Sequence, residues 1–243
     1  MPNHLFAVTA VLTAAAAFQG TMGFGFSLFS VPLLVMLLPA SRVVPLLAGL
    51  SLIVNAAVLY QTRSHLRPRR ILPLILAGLA GVPLGVRLLA VASESTLRVG
   101  LGGATVVLSS ALLFGVRFRV KREALAMVPV GLLSGVMNGA ATLSGPPVII
   151  FQIAQRAGKG LFRATLAGYF LALTFLTIPV LWLNGLVDEE LAVSALYLLP
   201  GVVVGLGLGL ALSRKLDSDR FRKTALVLVM LLGLMAVFTG GSY

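Results

Sequence analysis

The chain has no cysteine, two histidines and only seven acidic residues among 243. Without thiols, neither a disulfide framework nor thiol chemistry is available. No Asp or Glu falls inside a long apolar run, so a buried carboxylate relay for protons has no members here. No Gly-rich phosphate loop ending in Lys and Ser or Thr occurs, so the chain hydrolyses no nucleotide by itself. Intramembrane proteolysis needs paired acids or metal-binding histidines, and the sequence offers neither. The expectation is a protein that is not an enzyme and uses no cofactor or metal.

Charge is scarce, at 11% of residues against 58% hydrophobic, and mean hydropathy is +1.04. A soluble domain of this length needs far more polar surface. Residues 5–41, 43–62, 99–116, 124–155, 164–187 and 191–213 hold no Asp, Glu, Lys or Arg. Each such run is long enough to cross a bilayer, which takes about 20 apolar residues. The chain therefore reads as a multi-pass, all-α integral protein of the cell membrane. The formal charge of +12 is no sign of nucleic acid, because the basic residues sit in short loops between apolar runs. The N-terminus lacks the charged start and cleavage site of a signal peptide, so Leu5 onward is expected to stay as a membrane segment.

Two stretches interrupt the apolar runs in the same way. Gln19–Pro32 (QGTMGFGFSLFSVP) carries three glycines, a proline and three hydroxyls. Ser134–Pro147 (SGVMNGAATLSGPP) lies 115 positions later and aligns with it without a gap. Gly20 pairs with Gly135, Met22 with Met137, Ser27 with Thr142 and Pro32 with Pro147. Further matches are Ala48-Gly49 with Ala167-Gly168, and Gly81 and Gly85 with Gly205 and Gly209. The expected architecture is two inverted repeats, each a broken, re-entrant helical hairpin plus three transmembrane helices. Residues 1–122 form the first, with a hairpin at 5–41 and helices at 43–61, 71–90 and 97–116. Residues 123–243 form the second, with a hairpin at 124–154 and helices at 164–186, 191–213 and 224–239.

Loop charge orients this arrangement. The basic loops 63–70, 117–122 and 214–223 are expected in the cytoplasm, with the acidic loop 187–190 and the C-terminus outside. Arg42 is then the one basic residue placed outside. Eight full spans is the alternative, and it puts Arg156, Lys159 and Arg163 outside or the acidic loop inside. Inverted repeats with discontinuous helices are a transporter architecture, with the site where the breaks meet. A helix restarting after a break offers free N–H groups and a partial positive charge, which suits an anion. The glycines at 78, 81, 85, 205 and 209 read instead as close-packing positions. Arg87 reads as a snorkelling residue, and Trp182 and Tyr197 as interfacial anchors.

With Gly20-Thr21-Met22-Gly23-Phe24-Gly25 and Pro32, Ala48-Gly49 with Asn55, Gly81-Val82-Pro83-Leu84-Gly85, and Gly131-Leu132-Leu133-Ser134-Gly135 through Gly145-Pro146-Pro147, the chain resembles the sulfite exporter TauE/SafE family of membrane transporters. The resemblance covers essentially the whole chain. It implies a secondary carrier of small sulfur oxyanions, sulfite or an organosulfonate such as sulfoacetate. The expected substrate-binding set is Gly20, Thr21, Met22, Gly23, Phe24, Gly25, Ser27, Asn55, Gly135, Asn138, Gly139, Thr142 and Ser144. An anion channel, or a carrier of another small anion, is the alternative. The expected partners are the anion and the bilayer, with no nucleic acid, and the glycine-rich faces leave room for a homodimer.

Overall fold

The computed structural model describes residues 5–114, 123–155, 157–213 and the single positions 227, 230 and 231. Apart from those three positions the helix expected at 224–239, and the basic loops at 117–122 and 214–223, lie outside the described residues. Nine α-helices occur among the described residues: α1 (Leu5–Met22), α2 (Phe26–Leu34), α3 (Ala40–Thr62), α4 (Pro68–Val91), α5 (Glu94–Leu113), α6 (Glu123–Ala141), α7 (Gly145–Ala154), α8 (Lys159–Leu183) and α9 (Glu189–Leu212). A single 3-10 turn, Arg63–His65, joins α3 to α4. Five of the nine (α1, α3, α4, α8 and α9) are long and apolar enough to cross a membrane.

Both interruptions are real breaks and are shorter than their sequence stretches. The first is confined to Gly23–Gly25 and the second to Thr142–Ser144, so Gln19–Met22 is the last turn of α1 and Asn138–Ala141 the last turn of α6. At the first break the chain turns on two left-handed glycines, Gly23 at φ 87° and Gly25 at φ 105°. Gly25 also lies directly on the Phe18 ring, where a Cβ would overlap the aromatic carbons. At the second break the left-handed residue is Thr142, at φ 54°. A β-branched residue in that region is an outlier that costs about 1–3 kcal/mol, so the packing around it must hold the turn in place.

The two broken helices are each clasped by a glycine helix from the opposite half of the chain. On α9, Gly201, Gly205 and Gly209 face Thr9, Thr13 and Ala17 of α1. On α4 and α6, Gly78 meets Gly135, Gly81 meets Leu132 and Val136, and Gly85 meets Val136 and Ala140. Residue numbers rise together in both pairs, so the helices run parallel. A Cβ at Gly205 would overlap the Thr13 carbonyl oxygen, and one at Gly135 the Gly78 carbonyl oxygen. Backbones this close pack through van der Waals contact and Cα–H···O bonds, as small-residue interfaces do in lipid. The buried Tyr169 of α8 closes the α4–α6 seam, its hydroxyl donating to Gly131 O at 3.3 Å.

Helix ends depart from expectation by a few residues, with one consequence. α8 begins at Lys159 rather than at residue 164, which brings Arg163 into the helix, where it is 7% exposed. Lys159, one turn earlier, donates to Ser213 O at the end of α9. At the other end of α9, Arg42 forms an ion pair with Asp188 and approaches Glu190 at 3.7 Å. The basic residue that fitted the charge pattern least well is thus neutralised by the acidic loop, on one face with it. Arg87, Trp182 and Tyr197 are exposed.

Candidate functional site

The two breaks meet at a small cavity of about 40 Å³. Since one water needs roughly 10–15 Å³ of such space, this is room for about three waters or one compact oxyanion. From the first break it is lined by Phe24, Gly25, Ser27 and Leu28, and from the second by Asn138, Thr142, Ser144 and Gly145. Ser51 and Asn55 of α3, Phe170 and Thr174 of α8, and Gln19, Phe26, Leu143, Pro146 and Ile149 complete the wall. No ionisable side chain is among the lining residues.

A chain of amide hydrogen bonds sets one wall. The backbone N–H of Phe26, the first residue of α2, donates to Gln19 Oε1 at 2.8 Å. Gln19 Nε2 in turn donates to Asn55 Oδ1 at 2.6 Å. Because each link uses an acceptor oxygen, the Asn55 Nδ2 donors are left for the cavity that this residue lines. Gln19, Asn55 and Phe26 are all nearly fully buried, so this order is costly to disturb. On the opposite wall Asn138 Nδ2 donates to Thr177 Oγ1 at 2.7 Å, and Thr177 passes its own proton to Leu173 O. Ser134 Oγ of α6 donates at 2.6 Å to the carbonyl oxygen of Ser144, the N-cap of α7, and so ties the two sides of the second break together.

Seven of the thirteen expected residues line the cavity: Phe24, Gly25, Ser27, Asn55, Asn138, Thr142 and Ser144. The other six do not. Gly20 faces the backbone of α9, with Leu206 O 2.9 Å from where its Cβ would lie. Gly135 and Gly139 face α4 in the same way. Thr21 Oγ1 donates to Ala17 O and Gly209 O, also toward α9. Met22 is buried in the core, and Gly23 lies under Arg163. In this structure Gly20, Gly135 and Gly139 allow close helix approach rather than present N–H groups to the cavity.

The restarts are also less symmetric than their sequences. α2 has free N–H groups at Ser27 and Leu28 next to the cavity, because Phe26 N–H is already taken. α7 opens with Gly145-Pro146-Pro147, and the two prolines have no N–H to give. Each break, moreover, contains a helix end as well as a helix start. A C-terminus carries about −0.5 charge and an N-terminus about +0.5, so within one break the two nearly cancel. Dipoles alone do not make this cavity positive.

A positive charge beside the first break comes from a residue outside the expected set, Arg163, which does not itself line the cavity. Arg163 Nη2 donates to Gly20 O at 2.8 Å, one of the last carbonyls of α1, and to Gln61 Oε1 at 3.0 Å. Its aliphatic carbons cover Gly23, where a Cβ would lie 2.6 Å from Arg163 Cγ. Among the described residues no carboxylate pairs with it, and its Nε has no hydrogen-bond partner. By sequence spacing Arg163 belongs to a basic loop. Only the tertiary fold turns it inward. Gln19, Ser51 and Thr174 also lay outside the expected set, although Ser51 sits one helical turn before Asn55 and so on its face.

The sequence model of a family described as Sulfite exporter TauE/SafE matches residues 8–236 of the chain. No curated protein and no solved structure matches it.

Proposed function

Because the chain belongs to the sulfite exporter TauE/SafE family, a family of membrane transporters of sulfur anions, we propose that it is a secondary carrier whose substrate sits between the two helix breaks. The observation that carries this reading is the cavity itself. Two separate breaks in the chain converge on one small space lined by the amides of Gln19, Asn55 and Asn138 and by several hydroxyls among apolar side chains, and Arg163, which has no carboxylate partner among the described residues, lies beside the first break. An anion fits that chemistry better than a metal cation does. The Arg163 guanidinium beside the first break repels cations.

Size argues for the small end of the substrate class. About 40 Å³ takes a four-atom oxyanion such as sulfite, whereas pockets for larger organic ligands run to several hundred Å³. In this reading the Asn55 amide and the N–H groups of Ser27 and Leu28 donate to the oxyanion from one side and the Ser144 hydroxyl from the other, while the Thr142 hydroxyl donates to Ala141 O at 2.6 Å. A buried donor contributes about 1–3 kcal/mol when its acceptor is charged. Alternating access follows from inverted repeats rocking about the site, and the glycine clasps make the moving units α1 with α9 and α4 with α6.

The test is sulfite uptake into proteoliposomes by wild type, Asn55→Leu and Asn138→Leu. Both variants are expected to bind sulfite about tenfold or more weakly, with saturable flux and counterflow in the wild type. Unchanged affinity in both sinks the site. Flux that never saturates and follows voltage points to a channel built on the same cavity.

A further inference from the structure

Arg163 is 93% buried by the 7% exposure of its surface, yet among the described residues it has only neutral partners. Burying a cation without an acid is unfavourable, since a carbonyl and an amide replace only part of its hydration. One structural account is a helix cap: a cation beside the last carbonyls of α1 is favourable. That account is incomplete. The α1 C-terminus offsets about half a charge, and the start of α2, four residues later, cancels that offset. Close to a full positive charge remains, and Nε is left unbonded although buried.

Position gives that charge a use. On one side Arg163 lies on Gly23, the residue before Phe24 and Gly25 in the cavity wall. On the other it touches Gln61, which lines a groove of about 800 Å³ with Tyr60, Arg63 and Ser64. Arg63 stands at the rim of that groove, held over the Tyr60 ring at 4.0 Å. A series of positive groups thus leads from the groove to the first break: Arg63 exposed, Arg163 buried, then the cavity.

Resting on the proposed substrate site, we propose that Arg163 is a second, transient binding site for the same oxyanion, between the cavity and the groove. Its guanidinium exchanges Gly20 O for the passing anion. The exchange also releases the last turn of α1, so binding and opening of this side are linked. Under the alignment of Gly49 with Gly168 the position matching Arg163 is Val44, so the repeat supplies no matching cation to the second break among the described residues. The gate is therefore one-sided.

The experiment measures sulfite binding to purified full-length protein in detergent, with melting temperatures read alongside. Arg163→Lys keeps the charge, Arg163→Gln removes it, and Gln61→Glu leaves the arginine in place but puts a carboxylate 3.0 Å from its Nη2. Arg163→Gln and Gln61→Glu are expected to bind sulfite about 10- to 100-fold more weakly, and Arg163→Lys within a few-fold of wild type. If Arg163→Gln fails to fold, Gln61→Glu decides alone. Wild-type affinity in Gln61→Glu, or in a folded Arg163→Gln, overturns the Arg163 assignment and leaves the cavity reading standing. No sulfite binding by the wild type overturns both.

Discussion

Single residues in this protein often carry a role that their local sequence does not advertise. Asn55 looks like any amide in an apolar helix, which normally serves helix–helix bonding. It becomes a directed donor because Gln19 and Phe26 N–H fix which of its atoms faces the cavity. Asp188 is the clearest titratable case. The Leu191 N–H that it caps, and then Arg42, hold its carboxyl below the ordinary value of 3.8. A carboxyl whose folded pKa is depressed stabilises the fold above its unfolded pKa, and that contribution is lost as pH falls through the folded value. Asp188 is fully exposed, so the effect is small. Wild type is expected to melt higher than Asp188→Asn at neutral pH, with the gap closing below about pH 4 in thermal scans. A gap independent of pH would show that the carboxylate charge is not what Arg42 and the helix cap use.

Among elements, the parallel clasps α1–α9 and α4–α6 are the most demanding features. Their glycines are not interchangeable with each other, and α9 allows a direct test. Gly205 and Gly207 are two residues apart on the same helix, but Gly205 lies against Thr13 O while Gly207 faces open space. Gly205→Ala is expected to cost about 1–3 kcal/mol by forcing the backbones apart. Gly207→Ala is expected to be neutral or to stabilise by up to about 1 kcal/mol, from helix propensity alone. Melting temperatures of the two variants check this, and equal shifts count against the close-packed seam. The spacing of these glycines is legible in the sequence. Their partners are not, because an i, i+4 glycine stripe states that something packs closely without stating which helix it is.

For the whole molecule, the placing of Arg42 against the acidic loop gives the proposed topology a physical basis. Asp188, Glu190 and Arg42 share one face, at the end of α3 opposite to Arg63. With no native cysteine, single substitutions report sidedness cleanly. Ser64→Cys is expected to react with an impermeant maleimide only from the cytoplasm, and Asn184→Cys only from outside. Reaction of both from one side would overturn the assignment from loop charge. The clasps also bear on motion. Since each broken helix is locked to a helix from the opposite half of the chain, the described helices of the two halves interdigitate rather than lie side by side. The units proposed to rock are therefore exchanged ones.

The sequence alone was enough to read the membrane class, the number and places of the helix breaks, and the family. These follow from local signals: uncharged runs as long as a bilayer is thick, and glycine and proline where a helix should continue. Seven of the thirteen expected site residues line the cavity for the same reason, as they lie at the breaks or on the face of Asn55. The tertiary structure alone decided which helix each glycine stripe meets, how small the cavity is, and where the charge comes from. Helix dipoles cancel within a break. A long side chain such as that of Arg163 reaches its site from a distant part of the chain. Neither the sum of the dipoles nor that reach is written in residue spacing, because both depend on where chain segments end in space.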